Sequence, residues 1–186
     1  MRTFNQPQGK FTIYDPGYVR VAADVSTPAR AAAVTFEETI RRDSNETGAF
    51  FRPNGAMITK RSGQPDQVRF PSADLVGTAG GLFTHNHPSG LSFSSADVES
   101  AAGLGLSEVR AVSPGYRHIM TPVGNWPTES AIQRAYHIEI QAAQADVDKM
   151  VRAGELSVSY ATVEIHHRVW ELVSAKLGLN YIREAS

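Results

Sequence analysis

The chain has 186 residues, of which 41% are hydrophobic, and it carries a formal net charge of -1 at pH 7 with no cysteine. That length can bury the core of one domain and leave room for an appended segment. The near-zero charge excludes the basic footprint of a nucleic-acid or anionic-membrane binder. The lack of cysteine excludes disulfides, thiolate metal ligands and a cysteine nucleophile.

Residues 1–24 are predicted to form an N-terminal extension. Residues 11–14 and 19–22 are β-like runs around Pro16-Gly17, which favours an edge hairpin or an extended arm docked on the core. The first residues lack the apolar core of a secretory signal peptide, and no segment approaches the roughly 20 apolar residues of a membrane helix. We therefore expect a cytoplasmic location and no membrane partner, while delivery by a route without a cleaved signal stays open.

A first helix is predicted from Thr27 to about Arg42, because Thr is a good N-cap and the following Pro28 suits the first helical position. The turns Pro53-Asn54-Gly55 and Ser62-Gly63 then separate short apolar runs, which predicts an antiparallel meander. The predicted strands of this meander are residues 49–51, 56–60 and 67–70.

The most informative stretch is Thr84-His85-Asn86-His87-Pro88-Ser89-Gly90. Residues 80–84 predict a strand that enters the histidine pair. Because alternate side chains of an extended segment share a face, His85 and His87 can reach one metal ion while Asn86 points away.

A turn and a helix bring a carboxylate back toward this pair. Pro88-Ser89-Gly90 turns the chain, and Ser94 or Ser95 begins a helix with Asp97 in its first turn. Two imidazoles and one carboxylate form a three-ligand zinc set that leaves a fourth position for water, as in catalytic zinc sites. Each half alone has a simpler interpretation, because most His-x-His pairs bind no metal and Ser94-x-x-Asp97 resembles a capping box.

The whole run resembles the JAMM (MPN-plus) zinc metallopeptidases, whose pattern is an upstream Glu, then His-x-His-Pro, then Ser-x-x-Asp. Residues 85–90 look most like the prokaryotic branch, which includes RadC-like proteins and phage- or toxin-associated domains. The resemblance covers residues 25–122. One departure is that six residues separate His87 from Ser94, one fewer than is usual in the family, so Ser95 competes with Ser94 for the role of pocket serine.

A zinc-activated water needs a base within hydrogen-bond reach. The candidates upstream of the histidines are Glu37, Glu38 and Glu46. Glu37 and Glu38 lie in the middle of the first predicted helix, where solvated carboxylates are the default. Glu46 follows that helix and opens a strand, as the general base does in the family, so the resemblance implies Glu46.

The resemblance therefore implies hydrolysis of a peptide or isopeptide bond with Zn2+ bound to His85, His87 and Asp97. Glu46 would act as the general base, and the Ser94 hydroxyl would stabilise the oxyanion. The partner would be a protein or peptide substrate, and the C-terminal tail of a ubiquitin-like protein is one candidate, since it could add to a sheet edge. The alternatives are a catalytically silent scaffold of the same fold, a hydrolase of a different bond, and an interaction protein of a phage or secretion system.

Beyond the metal helix, residues 108–112 and 116–120 flank Pro114-Gly115 as another hairpin. Strands with intervening helices predict an α/β fold in which helices flank a mixed sheet. The resemblance implies the deaminase-like arrangement of JAMM and MPN domains, with the catalytic domain at residues 25–122.

Residues 123–186 are predicted to form a C-terminal helical appendage. Helices at residues 128–153 and 158–177 form a hairpin that stops at Gly178. The hairpin could pack on the core, cover a substrate channel or form a homodimer. Adjacent residues on a helix point about 100° apart, so His166-His167 is interpreted as a pair of surface histidines rather than as ligands.

Overall fold

The computed structural model describes residues 19–186. Its helices and strands, in chain order, are α1 (Pro28–Ile40), β1 (Thr47–Phe51), β2 (Met57–Ser62), β3 (Leu82–Asn86), α2 (Ser95–Gly103), β4 (Glu108–Val112), β5 (Tyr116–Pro122), α3 (Glu129–Arg152), α4 (Ala161–Leu177) and β6 (Leu179–Ala185). The six strands form one sheet in the order β2-β1-β3-β4-β5-β6. Within this part of the chain, β3 and β4 are parallel and the other neighbours are antiparallel. The predicted α/β fold with a mixed sheet is confirmed.

One face of the sheet is covered by α1. Its N-cap is Thr27, whose side chain accepts a hydrogen bond from the backbone of Arg30, and its last residue is Ile40 rather than the predicted Arg42. The apolar residues of α1 pack on β1, β3 and β4. This smaller core contains Ala29, Ala33, Phe36, Ile40, Ala49, Phe51, Leu82 and Val112.

The larger core lies on the opposite face, beneath α2, α3 and α4. Buried side chains from all three helices and from the sheet contribute to it, among them Phe50, Val98, Val109, Ile132, Trp170 and Leu179. The predicted helical hairpin is therefore packed on the sheet. Within residues 19–186, no helix combines the length and the apolar character that a membrane span requires.

The chain after α4 adds a strand that was not predicted. Gly178 caps α4 with a φ of +67°, a left-handed conformation that glycine adopts without steric penalty. β6 follows at once and pairs with β5 from Leu179 to Ala185. Residues 123–186 therefore complete the sheet as well as covering it, while the domain boundaries at residues 24 and 122 stay predictions.

Two predicted strands differ from the structure. Residues 67–70 make only an isolated bridge between Gln64 and Gln67, because the Phe70 ring packs edge-on against Phe50 and Phe83 instead of continuing the meander.

At the N-terminal side, residues 19–22 form no strand, although the Val21 N–H donates to the Ala185 carbonyl over 2.9 Å. The other β-like run, residues 11–14, lies outside the described residues, as does most of the predicted extension at residues 1–24.

Candidate metal centre

His85 lies in the middle of the sheet. It stands between Gly48 of β1 and Ala111 of β4, and it is fully buried. A Cβ added at Gly48 would lie 2.8 Å from the Phe83 ring and 3.3 Å from the Cβ of His85, so glycine leaves room for the stacked rings. Among the described residues, neither ring nitrogen of His85 has a hydrogen-bond partner. A buried polar atom without a partner destabilises the fold unless an ion or a ligand binds to it.

His87 follows β3 on the same side of the sheet. Its Nδ1 lies 3.1 Å from the Leu91 carbonyl oxygen and 3.0 Å from that of Ser92. Because carbonyl oxygens only accept, Nδ1 carries the hydrogen, and the lone pair of the neutral ring lies on Nε2. Metal-binding histidines are commonly oriented by such a hydrogen bond from the other ring nitrogen.

Glu46 reaches the histidines from the loop before β1, and Asn86 holds that loop. The Asn86 Oδ1 accepts the Thr47 N–H over 2.7 Å, while its Nδ2 donates to the carbonyls of Asn45 over 3.1 Å and Asp43 over 3.2 Å. The prediction that Asn86 points away from the histidines is confirmed. Its amide fixes the backbone on both sides of Glu46.

The first turn of α2 brings Asp97 to the same point. Ser94 is the N-cap of α2, and its Oγ accepts the Asp97 N–H over 3.3 Å. In return, Asp97 Oδ2 accepts the Ser94 backbone N–H over 2.7 Å and its hydroxyl over 2.8 Å. The capping box is therefore present, and the serine that partners Asp97 is Ser94, while Ser95 is the first residue of the helix.

Four side chains converge at this position. Glu46 Oε1 lies 3.5 Å from His85 Nε2 and 3.4 Å from His87 Nε2. The two carboxylate oxygens of Asp97 each lie 3.5 Å from one of the same nitrogens. Within the described part of the chain, Glu46, His85 and His87 form a group that could hold a metal ion, with donor atoms within 4.8 Å of one another. The shortened loop between His87 and Ser94 still places Asp97 against both imidazoles.

The charges at the centre suit a cation. Burial opposes protonation of His87, but the hydrogen bond to Glu46 and the negative charge of Asp97 outweigh it and raise the pKa of His87 to about 9. Burial also opposes ionisation of Asp97, yet His85, His87 and Ser94 hold the pKa of that carboxyl well below its usual range. The imidazolium of the metal-free protein thus supplies the positive charge that a metal ion would bring.

The other two glutamates proposed as the base lie elsewhere. Glu37 was expected to be solvated, which is wrong, because it is fully buried and bonded to Arg110 and Arg117. It also accepts the Thr84 hydroxyl over 2.9 Å, which places it on the face of β3 opposite His85. Glu38 is exposed on α1, as expected. Of the three candidates, Glu46 is the one that reaches the histidines.

The C-terminal helices border the centre. The hydroxyl of Tyr136 on α3 lies 3.5 Å from Nδ1 of His166 on α4. Burial raises the pKa of Tyr136, and the negative charge of Asp97 raises it further. Burial lowers the pKa of His166, and the positive charge of His87 lowers it further. Each residue of the pair therefore feels the charge of a residue in the metal centre.

The interpretation of His166-His167 as surface histidines is wrong for His167. This residue is only 7% exposed, and its Nδ1 lies 3.0 Å from the Tyr181 hydroxyl. Tyr181 belongs to β6, which was not predicted, so the partner that covers His167 could not be foreseen.

Comparisons with family models, with curated proteins and with solved structures find no match for this chain. Any statement about its function therefore depends on the geometry of the centre.

Sequence reasoning missed two positions that shape the centre. Asn86 was expected only to point away, and Ser92 was not considered. The one available signal was the alternation of the strand, which places Asn86 on the face opposite the histidines; nothing local marks Ser92.

Proposed function

We propose that the chain is a zinc-dependent hydrolase of peptide or isopeptide bonds, similar in mechanism to the JAMM metallopeptidases. The observation that carries this proposal is the convergence of Glu46, His85, His87 and Asp97, with carboxylate oxygens 3.4–3.5 Å from both imidazole Nε2 atoms. Imidazole nitrogen and carboxylate oxygen form a donor set that suits zinc. The His85 Nε2, which is buried without a hydrogen-bond partner among the described residues, fits the presence of an ion.

We assign His85, His87 and Asp97 as the ligands. Two hydrogen bonds from Ser94 orient the Asp97 carboxylate, as is common for ligating carboxylates. The Glu46 carboxylate contacts the two imidazoles and, among the described residues, no lysine or arginine. This position beside both imidazoles supports its role as the general base.

The chain's own residues would then share the remaining work. When bound, zinc would supply Lewis-acid chemistry. Glu46 would accept a proton from the attacking water and return it to the leaving amine. The Ser94 hydroxyl points at Asp97 Oδ2, so it orients that ligand, and stabilising an oxyanion would require it to rotate toward the substrate.

An extended peptide is the substrate class that the sheet favours. β2 is an edge strand, separated from β3 by β1 alone, and the loop before β1 carries Glu46. An extended tail could pair with such an edge through its backbone. The tail of a ubiquitin-like protein is the narrower form of this proposal.

Zinc analysis of two variants tests the assignment. We expect about one zinc ion per chain in the parent and in Glu46→Ala, and loss of zinc in Asp97→Ala. Glu46→Ala should also lower turnover by about 10²- to 10⁴-fold, the usual contribution of general acid–base catalysis. Glu38→Ala, which removes an exposed carboxylate of α1, is the matched control.

Two outcomes would contradict the proposal in different ways. Loss of zinc in Glu46→Ala with retention in Asp97→Ala would exchange the roles of the two carboxylates. A parent protein that holds no zinc even after reconstitution would favour a catalytically silent scaffold.

A further inference from the structure

We propose that Tyr181 is a positioning residue for the metal centre, because it fixes the loop whose carbonyls orient His87. The proposal rests on the proposed function, since it concerns the same zinc site. It assigns the α4–β6 unit, residues 161–185, a part in metal binding.

The orientation of His87 depends on a short loop. Its Nδ1 donates to the carbonyls of Leu91 and Ser92, four and five residues further along the chain. The direction of the Nε2 lone pair therefore follows the position of these two carbonyls. A shift of this loop would turn the imidazole away from the point where Glu46 and Asp97 meet it.

The α4–β6 unit holds this loop at two consecutive residues. The Tyr181 hydroxyl donates to Ser92 Oγ over 3.2 Å. Trp170 Nε1 donates to the Phe93 carbonyl over 2.7 Å, and both of these residues are fully buried. One bond comes from β6 and the other from α4, so the loop is tied to two elements that are far from it in sequence.

Tyr181 is itself held in place. Its hydroxyl lies 2.9 Å from Nδ1 of His118 and 3.0 Å from Nδ1 of His167. Together with Ser92, the two imidazole nitrogens occupy the hydrogen-bonding positions of this hydroxyl. The rings of His118 and Tyr181 are also nearly parallel, at 4°.

Packing alone does not account for this cluster. The side chains of Ser92, His118 and His167 are buried where apolar ones would fill the space without any need for partners. Both histidines contact the half-buried Tyr181, whose hydroxyl donates to the residue that orients His87 through its carbonyl. Hydrogen-bonded partners behind a ligating histidine commonly tune its affinity for the metal.

The test is a double-mutant cycle on zinc affinity. Tyr181→Phe removes the donor, and Ser92→Ala removes the acceptor while leaving the bonds from His118 and His167 in place. We expect each variant to weaken zinc binding by about tenfold, the lower end for outer partners of a ligand. The double variant should lose little more than either single one, because the two groups act through one bond.

Two further readouts separate positioning from general destabilisation. The visible spectrum of the Co2+-loaded protein should change in both variants, because it reports the ligand geometry rather than the stability of the fold. Ser174→Ala is the matched control: its Oγ is buried on α4 and has no hydrogen-bond partner among the described residues. Its zinc affinity and its Co2+ spectrum should equal those of the parent.

The results distinguish failure of this inference from failure of the proposed function. Zinc affinity and Co2+ spectra that are unchanged in Ser92→Ala and Tyr181→Phe would overturn the role of Tyr181 alone. If Tyr181→Phe fails to fold, Ser92→Ala gives the answer from the other end of the bond. A parent that binds neither metal would overturn the zinc hydrolase itself, and the positioning role with it.

Discussion

Asn86 lies between two candidate ligands in the chain and faces the opposite way. Its three hydrogen bonds hold the loop of residues 43–47, in which Glu46 is also bonded through its own backbone to Gly63 and Gln64. The side chain that separates the histidines thus also helps to hold Glu46, the proposed base, beside them. The His-Asn-His spacing therefore places two candidate ligands on one face of β3 and the side chain that holds the Glu46 loop on the other.

We expect Asn86→Ala to reduce turnover more than it reduces zinc content. The residues on both sides of Glu46 would lose their bonds to Asn86, so its carboxylate would be held less precisely by the remaining backbone bonds to residues 63 and 64. His85, His87 and Asp97 would keep their own supports. The buried Thr47 N–H would be left unpaired, so the free energy of unfolding should also fall by about 1–3 kcal/mol. Zinc analysis, turnover and denaturant unfolding measure the three effects.

Asn54→Ala is the control for this substitution. Asn54 makes a similar bond to a backbone N–H, that of Ala56, but in an exposed turn. It should leave turnover unchanged. Equal turnover in Asn86→Ala and the parent would contradict the role of Asn86.

The raised pKa of His87 predicts that zinc binding releases a proton. Its pKa of about 9 in the metal-free protein keeps the ring protonated at pH 7.5, and zinc needs the neutral form. Calorimetric titration in buffers of different ionisation enthalpy should give about one proton from His87 per zinc at pH 7.5, in addition to any proton lost by zinc-bound water, and the share from His87 should disappear as the pH rises above 9. A constant proton count across this range would show that His87 does not change its protonation state.

The same raised pKa affects the stability of the metal-free protein. A histidine that gains carboxylate partners on folding stabilises the fold fully below its ordinary pKa of 6.5. That contribution is lost as the pH rises through the folded value of about 9. A bound metal ion would replace the stabilisation by protonated His87. The free energy of unfolding should therefore vary more with pH between 6.5 and about 9 in the metal-free protein than in the zinc-bound protein.

At the scale of the elements, local signals predicted much of the fold. The N-caps Thr27 and Thr128, the Ser94 box and the stop at Gly178 mark helix ends through contacts within a few residues. Such signals can be read from the chain alone. His85, His87 and Asp97 could be predicted for the same reason, because a strand, a turn and a helix cap set their spacing.

Elements that depend on distant partners could not be predicted. β6 forms by pairing with β5, which lies far from it in the preceding chain. Residues 67–70 do not form the predicted strand, and Phe70 there packs against the rings of Phe50 and Phe83. The contacts of Tyr181 and the burial of Glu37 have the same origin. Glu46 was identified only through the family resemblance, since a loop carboxylate carries no local mark.

At the scale of the whole molecule, the two faces of the sheet carry different polar clusters. The proposed metal centre lies on one face, and a buried network of ion pairs lies on the other beneath α1. Glu37 Oε1 contacts Arg110 Nε at 2.6 Å, and its Oε2 contacts Arg117 Nε at 2.5 Å. Arg110 also pairs with Glu108, and Arg117 with Glu184. These bonds tie α1 to β4, β5 and β6, so they fix how the helix sits on the sheet behind the centre.

Glu37→Gln should lower the free energy of unfolding by about 3–5 kcal/mol at pH 7, because it leaves two buried guanidinium groups under-paired. Burial opposes the charge of Glu37, but Arg110 and Arg117 hold its pKa below the ordinary value of 4.5. A lowered carboxyl pKa stabilises the fold above pH 4.5, and the stabilisation is lost as the pH falls through the folded value. The difference between variant and parent should therefore shrink on acidification.

Urea unfolding at pH 7 and at several values below 4.5 would measure this difference. Asp97 contributes its own acid dependence in the metal-free protein, so the comparison with the variant, and not the slope of the parent, isolates Glu37. Asp146→Asn is the matched control, because both partners of its ion pair with Lys149 are exposed and such a pair contributes about 0–1 kcal/mol. If Glu37→Gln were as stable as Asp146→Asn at pH 7, the network would not hold α1 on the sheet, and the support behind the proposed metal centre would have to come from the apolar core of α1 alone.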